Sequence, residues 1–162
     1  MSKRLNLRDF QQNLSNRLQD KGHAENQVST LGVQIGTQHW LVDMTDISEV
    51  LPLLKVTTLP LCKPWVVGMV NVRGNLYCVA DLASFLGQGR VSGDMHNRLL
   101  LVSTQHDFNA ALLIERVYGL RNIQAWRHDV VQNCYFDEQN IMWRKLDVPD
   151  LLGQAEFLQI GA

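Results

Sequence analysis

The sequence predicts a mainly β protein built from two small antiparallel barrels that pack side by side. Three observations support this fold class. Apolar and polar residues alternate along several short segments, which is the spacing of half-buried strands. Turn residues separate these segments, and residues 147–153 repeat the pattern of residues 81–87. The chain offers no long helix that could serve as a crossover between parallel strands, so we expect antiparallel pairing.

The N-terminal residues predict a helix outside this β domain. Their apolar side chains follow a helical stripe that consists of Leu7, Phe10, Leu14 and Leu18. Residues 22–30 lack periodicity and predict a linker. We therefore expect an N-terminal helix and linker over residues 1–30. Because isolated short helices are marginally stable, we expect this helix to pack on its own domain or on a neighbouring molecule.

From residue 31 onward the apolar period changes to two, which predicts four hairpins. The expected strand pairs are 31–36 with 40–44, 66–72 with 76–80, 99–102 with 110–117, and 134–136 with 141–146. Residues 88–97 are rich in glycine and polar side chains and predict a second linker. We therefore expect one domain over residues 31–155, with barrel subdomains at roughly 31–90 and 98–153.

The repeat supports two structural copies of one small unit. Asp147-Val148-Pro149-Asp150-Leu151-Leu152-Gly153 matches Asp81-Leu82-Ala83-Ser84-Phe85-Leu86-Gly87 at the leading Asp, the final Gly and three apolar positions, with one offset, 147 − 81 = 66. In both copies the leading aspartate can accept a hydrogen bond from a free backbone N–H at the start of a short helix, and the glycine can end that helix.

Composition and charge exclude several classes of function. Of the 162 residues, 46% are hydrophobic and 19% are charged, and the formal net charge is −1. Lys and Arg are scattered along the chain, which disfavours nucleic acid as a partner, because phosphate neutralisation requires a basic surface. The N-terminus is polar and no apolar run approaches the ~20 residues of a membrane span, so we expect a cytoplasmic protein without membrane insertion.

Cysteine and histidine do not predict a metal site or a disulfide framework. Cys62, Cys78 and Cys134 are odd in number and form no C-x-x-C pair, so we expect reduced, mostly buried thiols. The five histidines are expected in separate loops and turns, too far apart to share a ligand face: His23, His39, His96, His106 and His128. We expect no metal and no cofactor.

Motifs of catalysis are also absent from the sequence. It contains no G-x-S-x-G, no H-E-x-x-H and no phosphate-binding G-x-x-x-x-G-K-[ST]. Asp137-Glu138 is more typical of a hairpin turn than of an acid/base pair. Trp40 and Trp143 are expected in the core, whereas Trp126 is expected to be exposed. The sequence therefore predicts a protein that binds other molecules and is not an enzyme.

Residues 60–87 carry a motif in a frame of prolines and glycines. Its elements are Pro60, Pro64, Gly68, Asn71-Val72-Arg73-Gly74 and, after an apolar strand, Asp81-Leu82. This order resembles the signature of the CheW-like domain, which is a glycine, an apolar run, Asn-x-Arg-Gly, an apolar strand and Asp-Leu. The resemblance covers about residues 31–153. Within the family, the chain is most similar to members from type IV pilus and twitching-motility chemosensory systems.

The resemblance implies both a fold and a function. The family's fold consists of two five-stranded SH3-like barrels, and its members link a methyl-accepting chemoreceptor to a CheA-type histidine kinase at membrane-associated receptor arrays. By this resemblance, Ile47, Glu49 and Val50 carry over to a kinase-binding surface. The corresponding receptor and scaffold surface consists of Asn71, Arg73, Gly74, Val117 and Leu120.

Arg73 also has a physical role that does not depend on the resemblance. Beside Gly74 at a hairpin tip, its side chain should face solvent, where the planar guanidinium can bind a carboxylate. That carboxylate is either Glu49 of the same molecule or an acidic residue of a partner. The alternative is a surface arginine that contributes little, with Ile47 and Val50 as ordinary core residues.

Other functions stay open at this point. The chain could be a coupling protein of flagellar chemotaxis or a small-barrel module that binds a peptide or nucleic acid. It could also be part of a CheA-type kinase, which carries a similar domain. We expect it not to be such a fragment, because it begins at Met1 and has no ATP-binding segment.

Overall fold

The computed structural model describes residues 29–161, together with Gln11 and Gln12, which are helical. The remainder of the helix expected over residues 7–18, and most of the linker that follows it, lie outside the described residues. Two β-sheets dominate the structure, so the predicted mainly β class is confirmed. In the described part of the chain, no helix is long and apolar enough to cross a membrane.

The described residues form eleven strands and three short α-helices. The strands are β1 (Thr30–Ile35), β2 (Gln38–Asp43), β3 (Ile47–Pro52), β4 (Val66–Val72), β5 (Asn75–Asp81), β6 (Arg98–Val102), β7 (Ala110–Ile114), β8 (Arg116–Arg121), β9 (Arg127–Asp129), β10 (Cys134–Phe136) and β11 (Met142–Leu146). The helices are α1 (Leu82–Phe85), α2 (Val148–Gly153) and α3 (Ala155–Leu158), and single 3₁₀ turns lie at Met44–Asp46 and Thr104–His106. The four predicted hairpins are present as β1–β2, β4–β5, β6–β7 and β10–β11.

The two sheets interleave the two halves of the sequence. One sheet has six strands in the order β8-β1-β2-β11-β10-β9, and the other has five in the order β3-β6-β7-β5-β4. The sheets therefore do not follow the expected barrel boundaries at 31–90 and 98–153. The expectation of purely antiparallel pairing is also corrected, because β2 pairs with β11 and β5 with β7 in parallel.

The chain changes sheets at Glu115. We predicted one strand over residues 110–117, but β7 ends at Ile114 in the five-stranded sheet and β8 begins at Arg116 in the six-stranded sheet. The Glu115 side chain accepts a hydrogen bond of 2.8 Å from the N–H of Gly36 in the β1–β2 turn. Burial is the largest influence on this carboxyl group and raises its pKa. This crossing returns the chain to the six-stranded sheet, which therefore combines β1 and β2 with β8 to β11.

The capping aspartate is present in both copies, whereas Gly153 is itself the last residue of α2 and Gln154 follows as its C-cap. The Asp81 side chain accepts a hydrogen bond from the N–H of Ser84 at the start of α1, and the Asp147 side chain accepts one from the N–H of Asp150 at the start of α2. Gly87 follows α1 with a φ of +75°, a left-handed conformation that glycine adopts without strain.

The larger core lies between the sheets and is sealed by the C-terminal residues. Phe157 of α3 is 2% exposed and stacks on Trp65 with ring centroids 5.1 Å apart. Phe85 meets both rings edge-on, at 5.2 Å from Trp65 and 5.3 Å from Phe157. The N–H of Lys63 donates a hydrogen bond of 2.9 Å to the C=O of Ile160, which ties the end of the described chain to the loop before β4.

Candidate functional site

The Asn-x-Arg-Gly motif forms the tight turn between β4 and β5. Arg73 and Gly74 occupy its centre with φ of +50° and +86°, and Val72 pairs with Asn75 across the turn. Positive φ at both central positions is the geometry of a type I′ hairpin turn. The Asn71 side chain accepts a hydrogen bond of 2.9 Å from the N–H of Gly74. The motif therefore fixes the backbone that presents the Arg73 side chain.

Arg73 and Glu49 form a bidentate ion pair. The two terminal nitrogens of Arg73 donate hydrogen bonds of 2.7 and 2.5 Å to the two carboxylate oxygens of Glu49. These hydrogen bonds lower the pKa of Glu49 and raise the pKa of Arg73. The side chain of Arg73 is 70% exposed and that of Glu49 31% exposed, so the pair is charged and accessible to solvent. Within the chain, Glu49 is therefore the carboxylate that Arg73 binds.

The ion pair joins the two ends of the five-stranded sheet. Glu49 lies on β3, the first strand in sheet order, and Arg73 follows β4, the last strand. Thr57, which follows β3 in the chain, forms an isolated bridge with Met69 of β4. A sheet whose outer strands meet in this way is closed into a barrel. The motif therefore lies on the seam of this barrel.

The remaining residues of the expected kinase-binding surface are less exposed. Ile47 is 5% exposed and belongs to the larger core, which corrects its expected place on a surface. Val50 is half-buried and packs against the same core. Ile47 and Val50 therefore stabilise the core whether or not they also bind the kinase. Of the three residues, Glu49 is the one that solvent reaches most readily.

Val117 and Leu120 lie apart from the motif, on β8 of the six-stranded sheet. Val117 is half-buried and packs against the larger core, whereas Leu120 is 64% exposed. The structure thus brings Asn71, Arg73 and Gly74 together with Glu49, and places the other two residues of the expected receptor surface on the second barrel.

Comparison with known proteins adds the assignment to a family. The model of the CheW-like domain matches residues 29–156. The chain belongs to the CheW-like domain family. The motif in residues 60–87 was therefore interpreted correctly.

Curated relatives and a solved structure agree with this assignment. The CheW-like chain is 35% identical over 94 residues to protein PilI of Pseudomonas aeruginosa, covering 58% of this chain and 52% of that protein. It is 29% identical over 94 residues to the chemotaxis protein CheW of Thermotoga maritima, covering 57% of this chain and 60% of that one. The crystal structure of the scaffolding protein TtCheW from Thermoanaerobacter tengcongensis superposes with a TM-score of 0.67 at 17% identity, over 80% of this chain and 90% of that chain.

This CheW-like domain also contains an aromatic cluster that the sequence did not predict. Trp143 is 3% exposed. Its ring centroid lies 4.8 Å from that of His39, 5.7 Å from that of Tyr118 and 5.5 Å from that of Trp126. His39 lies in β2, which corrects its expected place in a turn, and Trp126 is half-buried where we expected an exposed ring. Four residues so distant in sequence give no local signal of their contact.

Asp137 connects this cluster to the predicted turn over residues 137–140. Trp143 Nε1 donates a hydrogen bond of 3.0 Å to Asp137 Oδ2, and the N–H groups of Gln139 and Ile141 donate bonds of 2.9 Å to Asp137 Oδ1. Burial acts to raise the pKa of Asp137, but these three hydrogen bonds outweigh it, so the pKa lies below its ordinary value. The carboxylate acts as a structural acceptor.

The structure also shows the surroundings of His106 and of the three cysteines in the CheW-like domain. His106, expected as a solvated residue, is 15% exposed at its side chain and lies 2.9 Å from Asp46 Oδ1. Cys62, Cys78 and Cys134 are free thiols, and burial raises the pKa of Cys78. Within residues 29–161, no group of three or more His, Cys, Asp or Glu side chains is placed to hold a metal ion.

Proposed function

We propose that the protein is a non-enzymatic coupling protein that links a methyl-accepting chemoreceptor to a CheA-type histidine kinase. We further propose that it acts in the cytoplasm at receptor arrays that control type IV pili and twitching motility. The observation that carries this proposal is the family motif itself. In this chain it forms a rigid tip whose Arg73 binds Glu49 on the barrel seam.

The proposed kinase contact is the outer edge of β3. The edge of β3 that faces the seam has no backbone ladder with β4: among the described residues, β3 pairs with β6 alone, and Glu49 reaches Arg73 across the seam through its side chain. Such an edge presents backbone N–H and C=O groups that a partner can engage. Glu49 and Val50 lie on this strand, and Glu49 adds a charged group beside the backbone. Ile47 supports the strand from the core.

The proposed receptor and scaffold contacts lie on both barrels. Asn71, Arg73 and Gly74 form the hairpin tip, and the guanidinium of Arg73 retains exposed surface after it binds Glu49. Val117 and Leu120 supply apolar side chains on β8, and Leu120 is the more exposed. An exposed leucine within a polar rim is suited to an apolar side chain of a partner.

A second candidate is coupling in flagellar chemotaxis, which the similarity to the chemotaxis protein CheW of Thermotoga maritima favours. The similarity to protein PilI of Pseudomonas aeruginosa is higher, at 35% against 29%, and therefore favours the pilus system. Complementation of a twitching-defective strain and of a swimming-defective strain by the same gene would separate the two candidates.

The decisive experiment is charge reversal at the ion pair. Dissociation constants for a purified CheA-type kinase and for a receptor cytoplasmic fragment would be measured with Arg73→Glu, Glu49→Arg and the double variant. Each single reversal places like charges together and repels charged groups of a partner. We expect each to weaken binding of at least one partner by about tenfold or more. Arg144→Glu on β11 is the control, because it reverses an exposed arginine on the other sheet.

The double variant distinguishes a role of the ion pair in binding a partner from a role in closing the barrel. If the pair acts in binding, as proposed, the double variant stays weak, because the pair is restored but its orientation toward the partner is inverted. Recovery of normal binding by the double variant would restrict the pair to closing the barrel. Normal binding by all four variants, or no binding by the unaltered protein, would contradict the proposed function. Arg73 serves better than Val50 here, because a charge at the half-buried Val50 would also disturb the core.

A further inference from the structure

Two adjoining clefts lie beside β8 and share Leu120, Arg121 and Asn122. The first has a volume of about 490 Å³ and is bounded by the aromatic cluster at Trp143 and by the turn at Asp137. The second has a volume of about 320 Å³ and continues along residues 120–124. Together they form one surface, which we call the Leu120 groove.

The Leu120 groove combines apolar and polar groups. Leu120 is 64% exposed where the two clefts meet, Ile141 is 39% exposed, and the half-buried ring of Trp126 lies in the same lining. Arg121 and Glu138 place one charge of each sign in that lining. An amphipathic helix fits such a surface, because its apolar stripe can cover the leucine while its flanks remain solvated.

The chain itself enters the domain at this groove. Ser29 and Thr30, where the continuous described part of the chain begins, line the second cleft. Their backbone is held in place, because the C=O of Ser29 accepts a hydrogen bond of 2.9 Å from the N–H of Met44 and Thr30 pairs with Arg121. The continuous described part of the chain therefore begins beside Leu120.

The predicted helix has the length and pattern needed to fill the groove. Ten residues separate Leu18 from Ser29, and an extended chain of that length reaches up to roughly 33 Å. The stripe from Leu7 to Leu18 covers about 16 Å of helix. Gln12, which lies on the helix face opposite the stripe, is helical and exposed, as expected for the polar face.

We propose that residues 7–18 dock with the apolar stripe of Leu7, Phe10, Leu14 and Leu18 on the Leu120 groove of the same molecule, and that a receptor which contacts Leu120 displaces them. Charge favours this contact. Residues 1–28 contain five Lys and Arg residues and three Asp and Glu residues, so their net charge is +2. Residues 29–162 contain ten Lys and Arg residues and thirteen Asp and Glu residues, so their net charge is −3. The short linker also keeps the segment at a high effective concentration near the groove, which favours it over a second copy of the chain.

Site-specific photo-crosslinking of the full chain tests the location of this contact. A benzophenone amino acid replaces Phe10 on the stripe in one sample and Gln12 on the opposite face in the control. We expect the probe at position 10 to crosslink within one chain to residues 118–126 or 137–143, and the probe at position 12 to give at least about tenfold less of this product. Crosslinks to other parts of the domain, or to a second copy in proportion to concentration, would overturn the proposal.

Amide exchange of the same full chain gives an independent test. We expect amides of residues 7–18 to be protected in the unaltered protein and to exchange about tenfold faster in Leu120→Ser, because loss of one buried leucine contact weakens an association by that factor. Gln12→Ser is the control and should leave the protection unchanged. Leu120 is exposed, so Leu120→Ser should remain folded, which exchange in β1–β2 verifies. Fast exchange of residues 7–18 in the unaltered protein would refute the docking.

Discussion

Phe157 offers the sharpest test of how the C-terminal residues stabilise this fold. It lies one residue beyond the stretch matched by the family model, yet its ring is 2% exposed and stacks between Trp65 and the neighbouring aromatic residues. Phe157→Ala removes that ring from the larger core. The measurement is urea unfolding of the full chain, followed by circular dichroism and tryptophan fluorescence.

The expected loss of stability in Phe157→Ala follows from the burial of the phenylalanine ring. Full burial of a phenylalanine side chain contributes about 1.5–3 kcal/mol, and the cavity left behind raises the cost of Phe→Ala in a core to about 3–5 kcal/mol. Domains of this kind have a free energy of unfolding of about 5–15 kcal/mol, so the variant loses a large share of it. At roughly 2–4 °C per kcal/mol for a chain of this size, a loss near 4 kcal/mol lowers Tm by about 8–16 °C.

The control is the next residue of the same helix. Leu158 is 47% exposed, so Leu158→Ala should cost less than about 1 kcal/mol. If Phe157→Ala costs no more than Leu158→Ala, then α3 does not seal the core, and the packing argument is refuted.

Two further predictions concern the sheets. Gly68→Ala should lower the free energy of unfolding in urea by at least about 2 kcal/mol, because φ is +149° and the added Cβ would lie 2.1 Å from Thr57 O. Gly74→Ala is the control and should cost less, because its added Cβ lies in open space. Asp137→Asn should lower the free energy of unfolding at neutral pH. The folded pKa of Asp137 is depressed, so this stabilisation is present above the unfolded pKa of about 3.9 and is lost as pH falls through the folded pKa. A deficit that persists in acid would contradict this assignment.

The sequence predicted the elements that local physics determines. Alternation located the four hairpins, and the chemistry of aspartate and glycine located both capped helices. The Asn-x-Arg-Gly turn was also visible, because glycine and a preceding short motif define a hairpin tip. Glu49 was one of two partners considered for Arg73, and the structure shows this pairing within the chain.

Features that depend on distant contacts could not be predicted in this way. Only Glu115 and Arg116 interrupt the apolar run over residues 110–117, and local periodicity does not tell which sheet a strand joins. Ile47 and Glu49 both fit an alternating edge strand, yet a bulge between them shifts the register, and the core takes Ile47. The aromatic cluster at Trp143 requires four segments to meet, and none of them carries a recognisable motif.

The interleaved sheets impose an order on folding during synthesis. The five-stranded sheet is encoded by one continuous stretch from β3 to β7, so all its strands are available once residue 114 has left the ribosome. The β1–β2 hairpin is made earlier, and β2 pairs in parallel with β11. Strand β11 ends at residue 146, which is 103 residues after the end of β2 at residue 43. At about 5–20 residues per second, the nascent hairpin waits roughly 5–20 s with one edge unpaired. We therefore expect the six-stranded sheet to be completed after the five-stranded sheet, with the edge of β2 unpaired until β11 is made.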